Sequence, residues 1–501
     1  MADPFYITTA ISYPNGPPHI GHAYEAIAGD VIARFQRAQG RDVRFQTGTD
    51  EHGLKMAQAA RSEGVEPRDY AKKMSSIFQE MCDVLNVSYD RFIRTSEPEH
   101  HRASQAIWSA MEAKGDLYLG RYEGWYSVRD EAFYDESELT LAQGAGEGAE
   151  RLSPQGSPVE WTAEESWFFR LSAYQQRLLD HYEANPGFIR PESRRNEVLR
   201  FVEGGLSDLS ISRTSFDWGV PAPGAPGHVM YVWLDALTNY ITGLGYPDET
   251  ELFARYWPAD VHLIGKDVVR FHAVYWPAFL MSAGIELPKM VYGHGFLLSS
   301  GEKMSKSVGN VVDPFALADR FGVDSLRYFL LREVPFGQDG SYSPEAIVNR
   351  VNAELANSFG NLAQRTLSMV YKNLAGEVPQ PGAAAEDVAL LDAVRSACER
   401  DVPAEFERFA FASGLEAWMG AVFACNAYVD AAAPWALRKS DPGRMAEVLG
   451  TLVEAIVILA AAVEPVIPGS ARRLIDFIRK GGPIGQPEPI FPRLELEEAA
   501  P

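Results

Sequence analysis

Residues 4–9 form a short β-rich run, and residues 12–18 break it with Pro14, Gly16, Pro17 and Pro18. From near His19 the apolar positions Ile20, Tyr24, Ile27, Val31 and Phe35 recur at three- and four-residue spacing, which predicts an amphipathic helix. Gly40 ends it, a residue suited to the left-handed position that closes a helix. Residues 42–47 then predict a second strand. Strand, helix, strand in this order is the βαβ unit of a parallel sheet, whose ligands sit beyond the carboxyl ends of the strands. The loop holding Pro14 to His22 falls at that end.

Over residues 119–227 the pattern changes to short aromatic strands, proline turns and a Gly-rich stretch at 143–148, as an insertion would. The parallel-sheet pattern resumes with apolar runs at 229–235 and 261–265, the second leading into the polar turn of Lys266 and Asp267 and a further helix. From residue 344 onward β signals vanish and Ala, Leu, Val and Glu recur with helical period, including 446–466, so the last third predicts a helical bundle. Residues 495–501 predict a frayed tail, and no repeat of solenoid period is present. The fold expected is α/β: a Rossmann-like parallel-sheet domain with an inserted small α+β domain, then a C-terminal α-helical bundle.

Length and composition narrow the class. A chain of 501 residues, 46% hydrophobic and 23% charged, is long enough for two to four globular domains. No apolar run is read as approaching the roughly 18 residues of a membrane span, and the first residues lack a secretory layout, so a cytoplasmic protein is expected. Cys82, Cys398 and Cys425 are too few and too scattered for a disulfide framework and have no metal-ligand spacing. The net charge of -22 argues against indiscriminate nucleic-acid binding. An RNA partner must then meet local basic patches, of which residues 190–200, with Arg194, Arg195 and Arg200, are one candidate; a solvated helix face is the competing reading.

Two short motifs carry the chemistry. His19, Ile20, Gly21 and His22 open the first helix, where unpaired backbone N–H groups already favour a phosphate. Two imidazoles there can stabilise charge developing on phosphate oxygens, and Gly21 leaves room for a nucleotide. Lys303, Met304, Ser305, Lys306 and Ser307 follow the last sheet strand in a Gly- and Ser-rich loop. Flexible ammonium groups on such a loop can close over a triphosphate and neutralise leaving pyrophosphate.

Together these motifs resemble the paired ATP signatures of class I aminoacyl-tRNA synthetases. Gly48-Thr49-Asp50-Glu51-His52-Gly53, Val232-Trp233-Leu234-Asp235-Ala236 and the stretch 265–272 narrow the resemblance to the methionyl-tRNA synthetase family, over nearly the whole chain. The resemblance implies a methionine pocket of Ile11, Tyr13, Trp233, Ala236, Leu237, Tyr240, Val268 and His272, with Asp50 on the substrate ammonium. An unbranched, polarizable thioether suits such an aromatic pocket with a single polar contact for sulfur. Leu237 stands where many members carry proline. The resemblance further implies ATP contacts at Gly21, Glu25, Gly265, Asp267, Lys303 and Lys306, with His19, His22, Lys303 and Lys306 catalytic and Mg2+ on the phosphates. Asn361, Arg365 and Trp435, the last in a turn after Pro434, match its anticodon-reading set, which fits bases read by stacking and by forked donors.

The implied domains are a catalytic domain at 1–118 and 229–294, a connective insertion at 119–228, a lysine-loop segment at 295–343 and an anticodon-binding domain at 344–501. Many members hold zinc in the insertion; here Ser127, Asp130, Ser153 and Gly156 occupy the corresponding region and supply no thiolate or imidazole. No metal is expected, the insertion being held by Trp125, Tyr126, Phe133 and Tyr134. The implied reaction is adenylation of L-methionine by ATP and transfer to tRNA(Met), by a monomer without membrane attachment and without a covalent enzyme intermediate. Synthetases for valine, isoleucine, leucine or cysteine, a non-catalytic tRNA-binding paralogue and a small nucleotidyltransferase are the alternatives.

Overall fold

The computed structural model describes residues 2–496 apart from 131, 142–149, 300–301 and 304–310; of residues 122, 132–133, 299 and 302–303 only the backbone is described. The expectations for 143–148, for Lys306 and for most of the tail therefore lie outside the described residues. The chain divides into two compact units, residues 1–18, 40–81 and 88–294, and residues 19–39, 82–87 and 295–501.

The first unit is built on a six-stranded, all-parallel sheet in the order Arg91–Arg94, Asp42–Thr49, Pro4–Thr9, Val261–Gly265, Val291–His294 and Ile189–Arg190. Val261–Gly265 is buried along its whole length and Pro4–Thr9 from Phe5 on, as expected of central strands covered on both faces. Ile189–Arg190 lies inside the stretch read as an insertion, so the chain returns to the main sheet before that stretch ends. The rest of the insertion carries an antiparallel sheet ordered Leu209–Ser210, Glu160–Phe169, Leu117–Ser127, Ala132–Tyr134. Its Leu117 and Phe169 join the same buried cluster as Tyr6, Trp108 and Trp276.

One sequence expectation is corrected here. Only Val229–Met230 is extended, pairing antiparallel with Ser212–Arg213, and Val232–Thr242 is a helix. The run 229–235 is ambiguous by length alone. Packing settles it: a helix buries Leu234, Leu237 and Ile241 and leaves Asp235 and Asn239 one turn apart.

The second unit holds the Ile20–Ala38 helix, with Ile20, Tyr24, Ile27, Val31 and Phe35 all buried and Gly40 at φ +82° just beyond its end. A three-stranded sheet follows, Leu297–Ser299 pairing antiparallel with Glu302–Lys303 and parallel with Gly340–Tyr342. The bundle includes Asn361–Asn373, Ala385–Arg395, Phe411–Ala432, Pro442–Val463 and Pro468–Arg479. Contrary to the sequence reading, Pro442–Val463 is long and apolar enough to cross a membrane, its most apolar 18-residue stretch having a mean hydropathy of 2.1. Its most apolar stretch is 67% buried within the protein, as befits the central helix of a bundle.

Arg327, on the Val323–Glu333 helix, is entirely buried. Its guanidinium donates to Asp30 Oδ2 at 2.6 Å, to the carbonyls of Pro465 and Val466 at 2.9 Å each, and to those of Leu85 and Asn86 at 3.0 and 3.3 Å. Asp30 also takes Arg34 Nε at 2.8 Å. Truncating Arg327 takes the guanidinium away from the buried Asp30 carboxylate, which keeps Arg34, and from the Leu85, Pro465 and Val466 carbonyls. Arg327→Leu is expected to lower unfolding free energy by about 3–5 kcal/mol, and Asp30→Leu with Arg327→Leu to recover part of the loss, as read from urea unfolding midpoints.

Candidate active site

In the first unit three neighbouring parallel strands, Asp42–Thr49, Pro4–Thr9 and Val261–Gly265, deliver the residues singled out from sequence at their carboxyl ends. Asp50 follows the first, Ile11 and Tyr13 the second, and Asp267, Val268 and His272 the third. The Val232–Thr242 helix supplies Trp233, Ala236, Leu237 and Tyr240. It is tied to the sheet by Tyr6, whose hydroxyl donates to the Tyr240 carbonyl at 2.8 Å, and by Gln46, whose amide donates to Asn239.

Tyr240 and His272 form the polar centre of this cluster, 2.6 Å apart through the hydroxyl and Nε2. His272 Nδ1 lies 3.0 Å from the Val268 carbonyl, which can only accept, so the ring proton is on Nδ1 and Nε2 accepts the Tyr240 hydroxyl proton. Burial holds the His272 pKa down at about 4, with the Val268 carbonyl and Asp267 opposing it in part. The ring is therefore neutral near pH 7. Trp233 stacks on Phe271 at 3.7 Å and 5°, and Tyr240 stacks on His262 at 4.2 Å. The result is an apolar, polarizable wall in which the Tyr240 hydroxyl and the His272 ring are already paired, while the buried Trp233 Nε1 has no hydrogen-bond partner among the described residues. Tyr13 contributes differently: its hydroxyl donates to the His52 carbonyl at 2.7 Å and accepts from the Met56 N–H at 3.2 Å, which fixes the segment after Asp50.

Asp50 is nearly buried; its N–H donates to the Ser12 carbonyl at 2.8 Å. The two residues after it were quoted in a motif but given no role from sequence, and the structure makes both into anchors. Glu51 takes Arg94 Nε at 2.6 Å together with the hydroxyls of Ser75 and Ser96. His52 Nδ1 lies 2.7 Å from Asp235 Oδ2, and His100 Nε2 2.7 Å from Asp235 Oδ1. Burial disfavours the Asp235 charge, but His52 and His100 outweigh it and hold the carboxyl well below the usual range. The signal available in sequence was a lone acid in the middle of an apolar helical run. At Gly265 a side chain would meet Asp267 Oδ1 at 2.8 Å, so glycine allows that carboxylate to fold back over the strand end.

The second unit holds the phosphate-type motif. His19 is the N-cap of the Ile20–Ala38 helix: its Nδ1 accepts from the Gly21 N–H at 3.0 Å, and His22 Nδ1 accepts from the His19 N–H at 3.0 Å. Both rings are thus neutral with the proton on Nε2, and they lie 3.9 Å apart. A Cβ at Gly21 would come within 2.8 Å of the His19 ring, so glycine is required by the cap itself. Glu25 lies on the same helix, half-buried. Lys303 is in the short Glu302–Lys303 strand, described for its backbone alone.

On the bundle, Asn361 and Arg365 are exposed on the Asn361–Asn373 helix. The Arg365 guanidinium lies 5.5 Å over the Trp435 ring and 3.8 Å from Asp430. Trp435 is half exposed and stands in the first turn of the Pro434–Ser440 helix, where a turn was expected; Ala433 at φ +42° turns the chain before it. The basic stretch at 190–200 follows the solvated-face reading. Arg194 pairs with Glu197 at 2.6 Å, and Arg195 and Arg200 bond to backbone carbonyls.

The stretch 119–228 places the residues named for its tip around one carboxylate. Asp130 occupies its tip, accepting hydroxyls of Ser153, Ser157 (2.6 Å) and Tyr134 (3.1 Å), while Ser127 Oγ accepts the Asp130 N–H. Around it Trp125 packs edge-on against Trp161 and under Arg151, and Tyr126 is buried; the Phe133 side chain is outside the described residues. Among the described residues no group of three or more His, Cys, Asp and Glu could hold a metal ion.

A parallel sheet with substrate-type residues at its strand ends, a histidine-capped first helix and a helical bundle define a class I aminoacyl-tRNA synthetase. The family profile described as tRNA synthetases class I (M) matches residues 5–367, and that of the anticodon binding domain of methionyl tRNA ligase matches residues 378–484. The chain belongs to the methionyl-tRNA synthetase family. It is 58% identical to a methionine–tRNA ligase of Brucella suis over 99% of both chains, and 59% identical to that of Mycobacterium bovis over 95% of this chain and 92% of the other. Its fold matches that of Mycobacterium tuberculosis methionyl-tRNA synthetase in complex with methionyl-adenylate at a TM-score of 0.94, with 56% identity over 98% of this chain and 100% of the other. The free-state form of that enzyme matches at 0.87, with 52% identity over 99% of both chains.

The buried His272 generates a pH prediction. The unfolded chain takes up a proton near pH 6.5 that folded His272 refuses until about 4, so its contribution to stability is complete above 6.5 and declines as pH falls. The difference between wild-type and His272→Gln urea midpoints is expected to shrink from pH 7 to 4.5; a constant difference would refute the neutral ring.

Proposed function

We propose that this chain activates L-methionine with ATP to methionyl-adenylate and transfers the aminoacyl group to tRNA(Met), with the roles below. Asp50 binds the substrate ammonium. Ile11, Tyr13, Trp233, Ala236, Leu237, Tyr240, Val268 and His272 enclose the side chain. The paired Tyr240 and His272 carry this reading: a wall of stacked aromatics whose hydroxyl and neutral imidazole are committed to each other offers no charge to a charged side chain and suits a polarizable thioether. Gly265 and Asp267 take the ribose, with Glu25 toward the adenosine.

In the reaction the methionine carboxylate oxygen attacks the α-phosphorus and the bond to pyrophosphate breaks. His19 and His22, through their Nε2 protons, and Lys303 and Lys306 stabilise the charge that shifts to the phosphate oxygens. Gly21 lets the nucleotide approach the helix start. A tRNA hydroxyl then attacks the mixed anhydride and AMP leaves. Mg2+, when bound on the phosphates, supplies further charge neutralisation there. Catalysis is positioning and electrostatics, without a covalent enzyme intermediate. We propose further that residues 1–118 with 229–294 act as the catalytic domain, 119–228 as a zinc-free connective insertion, 295–343 as the lysine-loop segment and 344–501 as the anticodon-binding domain. The protein is proposed to act as a cytoplasmic monomer without membrane attachment.

Exchange of labelled pyrophosphate into ATP, run with each of the twenty amino acids, is expected with methionine alone and strongly reduced in Lys306→Ala. Exchange with a different amino acid would overturn the pocket. For the bundle, Asn361, Arg365 and Trp435 are proposed to read the anticodon, Trp435 by stacking on a base. Trp435→Ala is expected to raise the KM for tRNA roughly tenfold in aminoacylation, as the loss of one stacked base implies, and to leave pyrophosphate exchange unchanged.

A further inference from the structure

Asp235 is the one acid in the apolar Val232–Thr242 helix and has no exposed surface. Its two oxygens are shared between histidines from two other segments: His52, from the loop after the Asp42–Thr49 strand, and His100, from the Pro98–Ala113 helix. His100 grips the Asp235 helix a second time, with Nδ1 3.0 Å from Thr242 Oγ1. His52, in turn, belongs to a segment held along its backbone. Its carbonyl accepts the Tyr13 hydroxyl, the Glu51 carbonyl accepts Trp218 Nε1 at 2.6 Å, and the Asp50 N–H reaches Ser12.

An ionised, fully buried carboxylate is a poor way to gain stability, because desolvation consumes most of what pairing returns. What it gives is register. The carboxylate joins the segment carrying Asp50, two residues before His52, to the helix carrying Trp233, two residues before it, and Ala236, Leu237 and Tyr240 after it. An α-amino acid must meet both groups at once, its ammonium on one and its side chain on the other, so their separation is a geometric requirement of substrate binding.

We propose that Asp235 is a positioning residue for the amino-acid substrate: through His52 and His100 it sets the span between the Asp50 carboxylate and the aromatic wall of the side-chain pocket. This rests on the assignment of Asp50 and the Trp233–Tyr240 wall to methionine. The residues proposed for the nucleotide lie on other segments, so the effect is confined to methionine.

The test is steady-state pyrophosphate exchange by Asp235→Asn, which keeps the shape and removes the charge, with KM measured for methionine and for ATP and the adenylate burst counting active sites. The methionine KM is expected to rise roughly tenfold or more, with the ATP KM within about twofold of wild type. His100→Gln, which removes one anchor and leaves the His52 pair, is expected to shift the methionine KM in the same direction by less, and decides the matter if Asp235→Asn does not fold. A fall in burst amplitude with both KM values unchanged, or an equal rise in both, would make Asp235 a purely structural residue and overturn the proposal. Trp233→Ala separates the two layers of the argument. If it leaves the methionine KM unchanged, the pocket assignment fails; if it raises that KM while Asp235→Asn does not, the positioning role alone fails.

Discussion

The second unit depends on the hydrogen bonds of one guanidinium. Arg327 joins four pieces of chain that are remote in sequence: the first helix through Asp30, the turn at Leu85 and Asn86, its own helix, and the break between two bundle helices at Pro465 and Val466. The Leu85, Pro465 and Val466 carbonyls are taken by Arg327 in buried hydrogen bonds, an acceptor-rich environment that calls for a multiple donor. A lysine could not serve it, since its three donors diverge from one atom, whereas the planar fork of arginine reaches carbonyls and carboxylate in several directions. The helix opened by His19 thereby belongs to the same compact unit as the bundle.

Carboxylates play the reciprocal part elsewhere. Asp387 gathers Arg444 and Tyr428 from two neighbouring bundle helices, with burial opposing its charge and Arg444 prevailing. Glu354 takes Tyr328 at 2.6 Å along with Arg332 and Arg350. Asp130 takes the hydroxyls of Ser153, Ser157 and Tyr134 and so ties three segments of the antiparallel-sheet region together. In each case a point of high acceptor density fixes the register of segments that hydrophobic packing alone would leave free to slide.

Much of this was legible in the residues, because the signals concerned are local. The period of the first helix, its glycine stop and the strand on either side follow from sequence spacing, and the motifs around His19, Asp50 and Trp233 are short and distinctive. The failures share a cause. The run 229–235 could be strand or helix until its partners were known, the Pro442–Val463 helix is apolar because the bundle surrounds it, and Trp435 takes helical form only because Ala433 adopts a left-handed turn ahead of it. Asp30, Asp235 and Arg327 were each visible as a charge inside an apolar helical run. Their partners lie 297 residues apart for Asp30 and Arg327 and 183 for His52 and Asp235, beyond the reach of any periodicity argument.

The same principle of internal pairing sets the histidines of both units. His19 and His22 cap their helix through Nδ1, which places the ring protons on Nε2; His272 is held with its proton on Nδ1 by the Val268 carbonyl. Imidazoles that differ in which nitrogen donates are thus produced from one residue type by backbone contacts alone. Tautomer choice made by the fold costs nothing when the ligand arrives, because the dipoles need not reorganise as charge moves. The Nε2 donors of His19 and His22 and the accepting Nε2 of His272 are opposite demands on one residue type. The fold meets both by choosing, for each histidine, which nitrogen the backbone will occupy.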